Sequence, residues 1–348
     1  MLVEAKYPTR FDARKYDEYL EKGFFRGASI MYKTQLLCIG SKVSSVINIR
    51  LPIKNFEISK SKKRVLNGVE KNFTVKVQPY YCNKEHDILY KKFKKKFKGF
   101  LYPDVESFLS LGSPFALAIF NTHLLEIYDG HKLIAFSLFD FGYKSCAGLL
   151  AVYDFDYNKY SLGNYTMFKE VEIAKHEGFA YYYPGYVLNN TNDFDYKLRI
   201  GKVESLDWNN GWSLKENIKK GDFLSDKIWL KMREAKKHIE GLGLNYKLYF
   251  YPNFSLGYLM EISSIFNFPV YIQVFNTQLG GDIYLFYDHF KDDFVLGRFN
   301  LVSLFPKSEK LEVSEEYENS VDLDLDIKEC SEEIARCKNV TEIFSTKN

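Results

Sequence analysis

Three stretches of crowded or alternating apolar positions, Leu124–Tyr128, Leu133–Asp140 and Ala147–Tyr153, predict three consecutive strands. Asp129-Gly130 between the first two is the residue pair that a tight hairpin demands. Ahead of them, Ala116–Phe120 reads as a further strand and Asn72–Val77 alternates. Ile47–Phe56 carries β-branched residues around Arg50, with Pro52 marking an edge or interruption. Lys84–Phe97 has another rhythm: Ile88, Leu89, Tyr90, Phe93 and Phe97 recur between lysines, the spacing of an amphipathic helix with a basic outer face. Lys15–Gly23 predicts a short helix with Tyr16, Tyr19 and Leu20 on one side. Asn164–Glu177 predicts a helix closed by Gly178 and followed by a strand at Phe179–Tyr183. Antiparallel strands, a helix and a further strand describe an α/β (α+β) domain with a mixed, largely antiparallel sheet.

From Trp208 the pattern changes. Asn209-Asn210-Gly211 is a loop and Ile228–Gly241 a helix. Tyr246–Phe254, Val270–Phe275, Tyr284–Asp288, Val295–Phe299 and Leu301–Leu304 read as strands, with Glu261–Phe266 helical among them. Beyond Pro306 the chain is acidic and weakly hydrophobic, which predicts a mobile tail with a helix at Ser331–Cys337. The expected division is an N-terminal segment 1–75, a central domain 76–205, a C-terminal α/β extension 206–306 and the tail 307–348.

Composition adds two points. Of the 348 residues 46% are hydrophobic, enough for a sizeable core, and the 27 tyrosines suggest grooves in which a ring packs while its hydroxyl stays wet. The net charge is only +3, but Lys54 to Lys98 holds fourteen Lys/Arg against four acids, and Glu309 to Glu329 nine acids against two lysines. That asymmetry gives a face able to attract an anionic polymer, or simply a solvated lysine-rich surface. Five scattered cysteines show neither a disulfide framework nor a closed zinc site, and no apolar run approaches bilayer length. The expectation is a soluble, cytoplasmic protein without a membrane partner.

Six stretches carry a resemblance. They are Tyr19-Leu20-Glu21-Lys22-Gly23-Phe24-Phe25-Arg26 with Tyr32, and Arg50-Leu51-Pro52-Ile53 leading to Ser59-Lys60-Ser61-Lys62-Lys63-Arg64. Then come Leu101-Tyr102-Pro103, the strand pair around Asp129-Gly130, and Val152-Tyr153-Asp154-Phe155-Asp156 with Ser161-Leu162-Gly163. The last is Tyr182-Tyr183-Pro184-Gly185-Tyr186 followed by Tyr196-Lys197-Leu198-Arg199. In this order, across residues 10–205, the chain resembles the arginyl- and leucyl-tRNA–protein transferases. The family's cysteine cluster between the positions of Tyr32 and Arg50 is reduced here to Cys38, so no metal or other cofactor is carried over.

The resemblance implies a GNAT-like acyltransferase domain. It implies transfer of arginine or leucine from aminoacyl-tRNA to the N-terminal α-amine of an acceptor protein, marking that protein for degradation. Such a reaction starts from an activated ester, so alignment of the reactants, worth roughly 7–11 kcal/mol at best, carries most of the catalysis. The implied catalytic residues are Asp154, Asp156, Tyr186, Tyr196 and Lys197. The two aspartates would bind the incoming ammonium or take its proton, or else merely end a strand. Tyr186 would stack on the terminal adenine, and Lys197 would pair a tRNA phosphate or an acidic acceptor side chain. Ser59, Ser61, Lys63 and Arg64 resemble a phosphate-contacting loop, and Ser161 and Gly163 would offer backbone N–H groups to an oxyanion or form an ordinary helix start. Arg26, Tyr32, Arg50, Tyr102, Tyr183, Gly185 and Arg199 complete the implied tRNA- and acceptor-binding set. Two rivals stand beside this reading: a GNAT-like acyltransferase using another donor, and a diverged, non-catalytic tRNA- or peptide-binding homologue. Ser161-Leu162-Gly163-Asn164 stands where a coenzyme A enzyme carries its Gly-rich pyrophosphate turn, which disfavours coenzyme A as donor.

Overall fold

The computed structural model describes residues 2–39, 42–97, 101–110, 114–214, 216–276, 281–302, 322–324 and 326–344. The chain forms two units, one of Ala5–Lys33 and Val46–Lys220, the other of Met1–Glu4, Thr34–Ser45 and Gly221–Asn348.

The first unit begins with α1 (Ala13–Glu21), whose N-terminal amides at Arg14 and Lys15 donate to the capping side chain of Asp12 and which buries Tyr16 and Leu20. After the strand β1 (Val3–Lys6) and α1, the hairpin of β2 (Phe25–Gly27) and β3 (Ile30–Thr34) sets Phe25 opposite Tyr32. Beyond β4 (Leu36–Ile39), which belongs to the second unit, comes β5 (Lys42–Pro52), and then α2 (Lys60–Glu70), β6 (Thr74–Pro79), α3 (Lys84–Lys94) and the short α4 (Val105–Ser110). The expected hairpin follows as β7 (Thr122–Asp129) and β8 (Lys132–Phe141), and β9 (Ser145–Tyr153) pairs beside β8. After β9, α5 (Leu162–His176) crosses to β10 (Tyr181–Leu188), and a 3-10 turn, Asp195–Ile200, precedes the hairpin of β11 (Glu204–Asp207) and β12 (Gly211–Leu214).

Eight of these strands stand in a row, β12-β11-β5-β10-β9-β8-β7-β6. Neighbours run antiparallel except β9 and β10, which are parallel and joined by α5, as a parallel pair requires a crossover. The mixed, largely antiparallel α/β sheet expected of a GNAT-like domain is therefore present. The segments 1–75 and 76–205 share this one sheet, through β5 and β10. Leu133–Asp140 of β8 is buried throughout, as befits a strand covered on both faces. Phe136 and Leu138 pack with Leu89, Tyr90 and Phe93 of α3, whereas α5 lies over β8, β9 and β10 from the other side. The parallel pairing of β9 and β10 lasts only from Tyr181–Tyr183 against Ser145–Ala147. On its other edge β10 shifts register against β5 between Tyr182 and Gly185, and Gly185 takes φ +95°, a left-handed conformation open to glycine. The sheet splits at that point.

In the second unit α6 (Leu224–Gly241) buries Ile228, Met232, Ala235 and Ile239, one helical face, with Phe250, Ile272, Val274, Ile283 and Leu285. These come from a six-stranded sheet of β17 (Asp322–Leu323), β13 (Asn245–Phe250), β14 (Val270–Asn276), β15 (Gly281–Asp288), β16 (Asp293–Leu301) and β18 (Lys328–Cys337), in that order.

Four local expectations change. Ala116–Phe120 lies largely in a 3-10 helix, Pro114–Ile119. Glu261–Phe266 forms turns and an isolated bridge, with helix only in α7 (Leu256–Leu259) before it. Ser331–Cys337 has helical propensity, yet it pairs along β16 as an edge strand, where Arg298 meets Glu332 and Arg336 meets Asp288. Ser59–Arg64 is no loop: Ser59 caps α2 and the rest is its first turn. Residues 303–321, the larger part of the acidic run, and Lys98 lie outside the described residues.

Candidate functional site

The split between β9 and β10 gathers the densest set of sequence-predicted residues. Gly185 and Tyr186 lie on β10 just past the register shift, and the turn Asp195–Ile200 brings Lys197 against them. The Lys197 ammonium donates to the Tyr186 carbonyl oxygen at 3.2 Å and lies 4.9 Å and 5.0 Å from the ring centres of Tyr186 and Phe194. A Cβ at Gly185 would come within 3.3 Å of that nitrogen, so the missing side chain lets the cation sit against the main chain. Phe25 meets the Tyr186 ring at 5.2 Å and the Tyr32 ring at 6.2 Å, completing an aromatic wall. No carboxylate pairs with Lys197 among the described residues, and burial alone lowers its pKa to about 8. Burial pushes the phenol of Tyr32 up to about 12, with Tyr102 close enough to add to the shift. Lys197, Gly185 and Tyr186 are thus brought together, with Tyr32 reached through Phe25 and Tyr102 near Tyr32.

Tyr196, beside Lys197, is 42% exposed as a residue. Burial raises its phenol to about 12, with Tyr153 and Glu170 nearby. Gly163, in the first turn of α5, faces the same Tyr153 ring, which a Cβ there would approach to 3.1 Å. Ser161 holds φ +55° ahead of that helix and makes no side-chain cap. Lys62 joins α2 to this region: its ammonium donates to the carbonyls of Ile200 and Glu57, each at 2.7 Å. The N-terminal turn of α2, with Ser59, Ser61 and the exposed Lys63 and Arg64, is therefore anchored to the turn that carries Lys197 and the exposed Arg199.

Other predicted residues are occupied elsewhere. Arg26 is buried in an ion pair with Asp140 at 2.8 Å, both side chains 1% exposed, and also donates to Thr122 and the Leu109 carbonyl. That geometry makes it a structural cation with no open face for tRNA. Arg50 pairs with Glu204 and Glu21, lies over the rings of Tyr181 and Trp212, and holds the Tyr183 hydroxyl at 3.4 Å. Arg50 and Tyr183 are brought together as a brace across β5 and β10.

Asp154 accepts from Lys92 at 2.6 Å, Lys132 at 3.1 Å and the Asp156 amide at 3.1 Å, and Asp156 accepts from Lys92 at 2.7 Å. Burial pushes the Asp154 carboxyl up, but these donors outweigh it and hold it at about 2. So weak a base is ill suited to take a proton from an amine, and the pair reads as a brace between α3 and the end of β9. Its folded pKa lies below the unfolded value, so its stabilisation is present above about pH 4 and is lost as pH falls towards 2. Asp154→Asn should therefore cost about 1–2 kcal/mol at pH 7, discounted for the exposed lysines, and almost nothing near pH 2. Urea midpoints measured across that range read the difference.

Reading the sequence missed Phe25 as part of the aromatic wall, and it missed the burial of Glu170. The signal for Glu170 was available: it falls in the apolar stripe of α5 with Thr166, Val171 and Ala174, all buried. As for a metal, Cys38 lies on β4, where burial pushes its thiol up to about 12, and a neutral thiol is no ligand. Among the described residues no group of three or more His, Cys, Asp or Glu is placed to hold a metal ion, and no helix is long and apolar enough to cross a membrane.

Residues 75–207 match the family described as arginine-tRNA-protein transferase, C terminus. The aspartate/glutamate leucyltransferase of Leptospira interrogans is 27% identical over 197 residues, 55% of this chain and 74% of that protein. That of Shewanella sp. strain MR-4 is 27% identical over 201 residues, 57% and 80% of the two chains. Among solved structures, FemX is similar over 63% of this chain and 70% of its own, with 11% identity and a TM-score of 0.36.

Proposed function

We propose that this chain, a member of the aminoacyl-tRNA–protein transferase family, moves leucine or arginine from its tRNA onto the α-amine of proteins that begin with Asp or Glu. The observation that carries the acceptor side of this reading is the enclosed Lys197 at the split of the sheet, which pairs with no carboxylate among the described residues. An ammonium held out of water without a counter-charge is unfavourable, and a ligand carboxylate removes that penalty. At neutral pH the group is cationic, since its pKa of about 8 lies above that range. The names of the relatives, aspartate/glutamate leucyltransferases, support the same acceptor class.

The chemistry follows from the reactants. The neutral α-amine attacks the ester carbonyl carbon, a tetrahedral oxyanion forms, and the ribose oxygen leaves. An α-amine titrates near roughly 7.7–8.0, so a useful fraction is neutral at physiological pH. The donors assigned to the oxyanion are the backbone N–H groups of Leu162 and Gly163 at the start of α5, since those of Asn164 and Tyr165 already donate to the Ser161 carbonyl. Tyr186, edge-on to Phe25 and Phe194, offers a flat ring beside the cation for the terminal base. The exposed Lys63, Arg64 and Arg199 supply cations for the phosphate backbone.

The test supplies radiolabelled Leu-tRNA and Arg-tRNA in parallel to peptides beginning with Asp, Glu, Asn or Lys. Label on the Asp- and Glu-initiated peptides from one of the two tRNAs is the expected result. Label on none of them, or equal label on all four, rejects the reading.

A further inference from the structure

Lys62 breaks the local rules of its own helix. It stands in the first turn of α2, at the positive end of the helix dipole, and no acid shares that turn. Its neighbours Lys60, Ser61, Lys63 and Arg64 are all exposed, whereas Lys62 is turned inward and only 8% exposed. The ammonium meets main-chain carbonyls instead of a carboxylate, those of Ile200 and Glu57, each at 2.7 Å. The Phe56 ring lies 4.8 Å from the same nitrogen. Burial lowers the pKa of this lysine, and the nearby charge of Glu57 opposes the shift. An enclosed ammonium held by neutral carbonyls costs stability that an exposed lysine would not, so what it joins is informative.

Ile200 closes the turn Asp195–Ile200, which carries Lys197. A second lysine holds the opening of the same turn. Lys219, in the loop after β12, donates to the Asp195 carboxylate at 2.7 Å, the Thr191 carbonyl at 2.7 Å and the Asn192 side chain at 3.0 Å. The turn has little to hold it by itself. It is a 3-10 segment of six residues, and its closing bond, from the Gly201 amide to the Leu198 carbonyl, is 3.4 Å long. Tyr196 and Arg199 within it face solvent. Lys197 reaches β10 through its hydrogen bond to the Tyr186 carbonyl at 3.2 Å.

We propose that Lys62 and Lys219 are positioning residues for acceptor recognition, clamping the two ends of the turn so that Lys197 presents its ammonium at the split of the sheet. The inference rests on the transferase reading above. Neither lysine meets a reactant. Each acts through the turn on the side chain assigned to the acceptor's carboxylate. Lys62 does so from the helix whose exposed Lys63 and Arg64 are assigned to the tRNA phosphates. Within one helical turn the outward cations serve the donor, and the inward one sets the acceptor pocket. A misplacement of about 1 Å can cost roughly 100-fold in a positioned reaction, so releasing one end of the turn is worth on the order of tenfold.

The experiment measures kcat and KM for two peptides that differ only in an initial Asp or Asn, with saturating Leu-tRNA or Arg-tRNA. Wild type is compared with Lys62→Met, Lys219→Met and Lys63→Met, and tRNA binding and melting are followed alongside. In Lys62→Met and Lys219→Met, KM for the Asp peptide should rise roughly tenfold, and the Asp-to-Asn ratio of kcat/KM should fall by the same factor. Their kcat, and KM for the Asn peptide, should stay within threefold of wild type. Lys63→Met should weaken tRNA binding and leave the ratio unchanged. If Lys62→Met does not fold, Lys219→Met, at the other end of the turn, decides. A ratio within twofold of wild type in either folded clamp variant overturns the proposal. So does an equal loss on both peptides, the mark of general damage, or a ratio that falls as far in Lys63→Met. A wild-type protein that transfers from neither tRNA overturns the underlying reading, and the proposal with it.

Discussion

Replacing Lys197 with methionine lowers kcat/KM for an Asp-initiated peptide by roughly 100-fold or more, the expected result of leaving a carboxylate unpaired in an enclosed site. Methionine keeps the length and apolar stem, so the aromatic wall of Tyr186, Phe194 and Phe25 stays packed. The informative quantity is the ratio between Asp- and Asn-initiated peptides, which differ in charge but little in shape. The expected ratio strongly favours Asp in wild type and approaches one in Lys197→Met. The ratio also falls as pH passes about 8, where the ammonium gives up its proton, whereas titration of the peptide amine cancels between the two substrates. An equal loss on both peptides would assign Lys197 to the donor side, and no loss would remove it from the site.

The second large effect concerns stability. Asp140→Ala should destabilise the first unit by about 3–5 kcal/mol, because Arg26 is left as a buried charge. Asp140 accepts from Arg26, from Thr122 at 2.7 Å and from Tyr16 at 3.0 Å, tying α1 and the β2–β3 hairpin to β7 and β8. The Arg26 guanidinium also lies 4.0 Å from the centre of the Phe120 ring, so it has no route to water. Urea unfolding reads the loss as a lowered midpoint at an unchanged slope. A shift under 1 kcal/mol would mean that the guanidinium finds solvent.

The strands of the first unit were legible because their apolar spacing agrees with their pairing. Leu124–Tyr128 and Leu133–Asp140 alternate or run apolar, and Asp129-Gly130 fits the turn between them. Ser59–Arg64 was harder: hydroxyls and lysines suggest a loop, and only Ser59 as a cap with Leu66 and Val69 on the buried side reveals the helix. Ser331–Cys337 shows the opposite failure, a glutamate-rich segment whose helical preference yields to pairing along β16. At the site, motif order located Gly185, Tyr186 and Lys197 together, but it gave Arg26, Arg50 and Asp154 the same standing. Whether a charge is open or already paired depends on long-range partners such as Asp140, Glu204 and Lys92, which spacing along the chain does not encode.

The enclosure of Lys197 also bears on the protein at rest. Between about pH 8 and 10.5 the unfolded chain keeps a proton that the folded one has already released, so this residue strengthens the fold as alkali is added, by on the order of 3 kcal/mol in full. A departing proton and an arriving anion relieve the same unfavourable charge. The folded protein is accordingly under tension at neutral pH, and a carboxylate bound at Lys197 should make it measurably firmer.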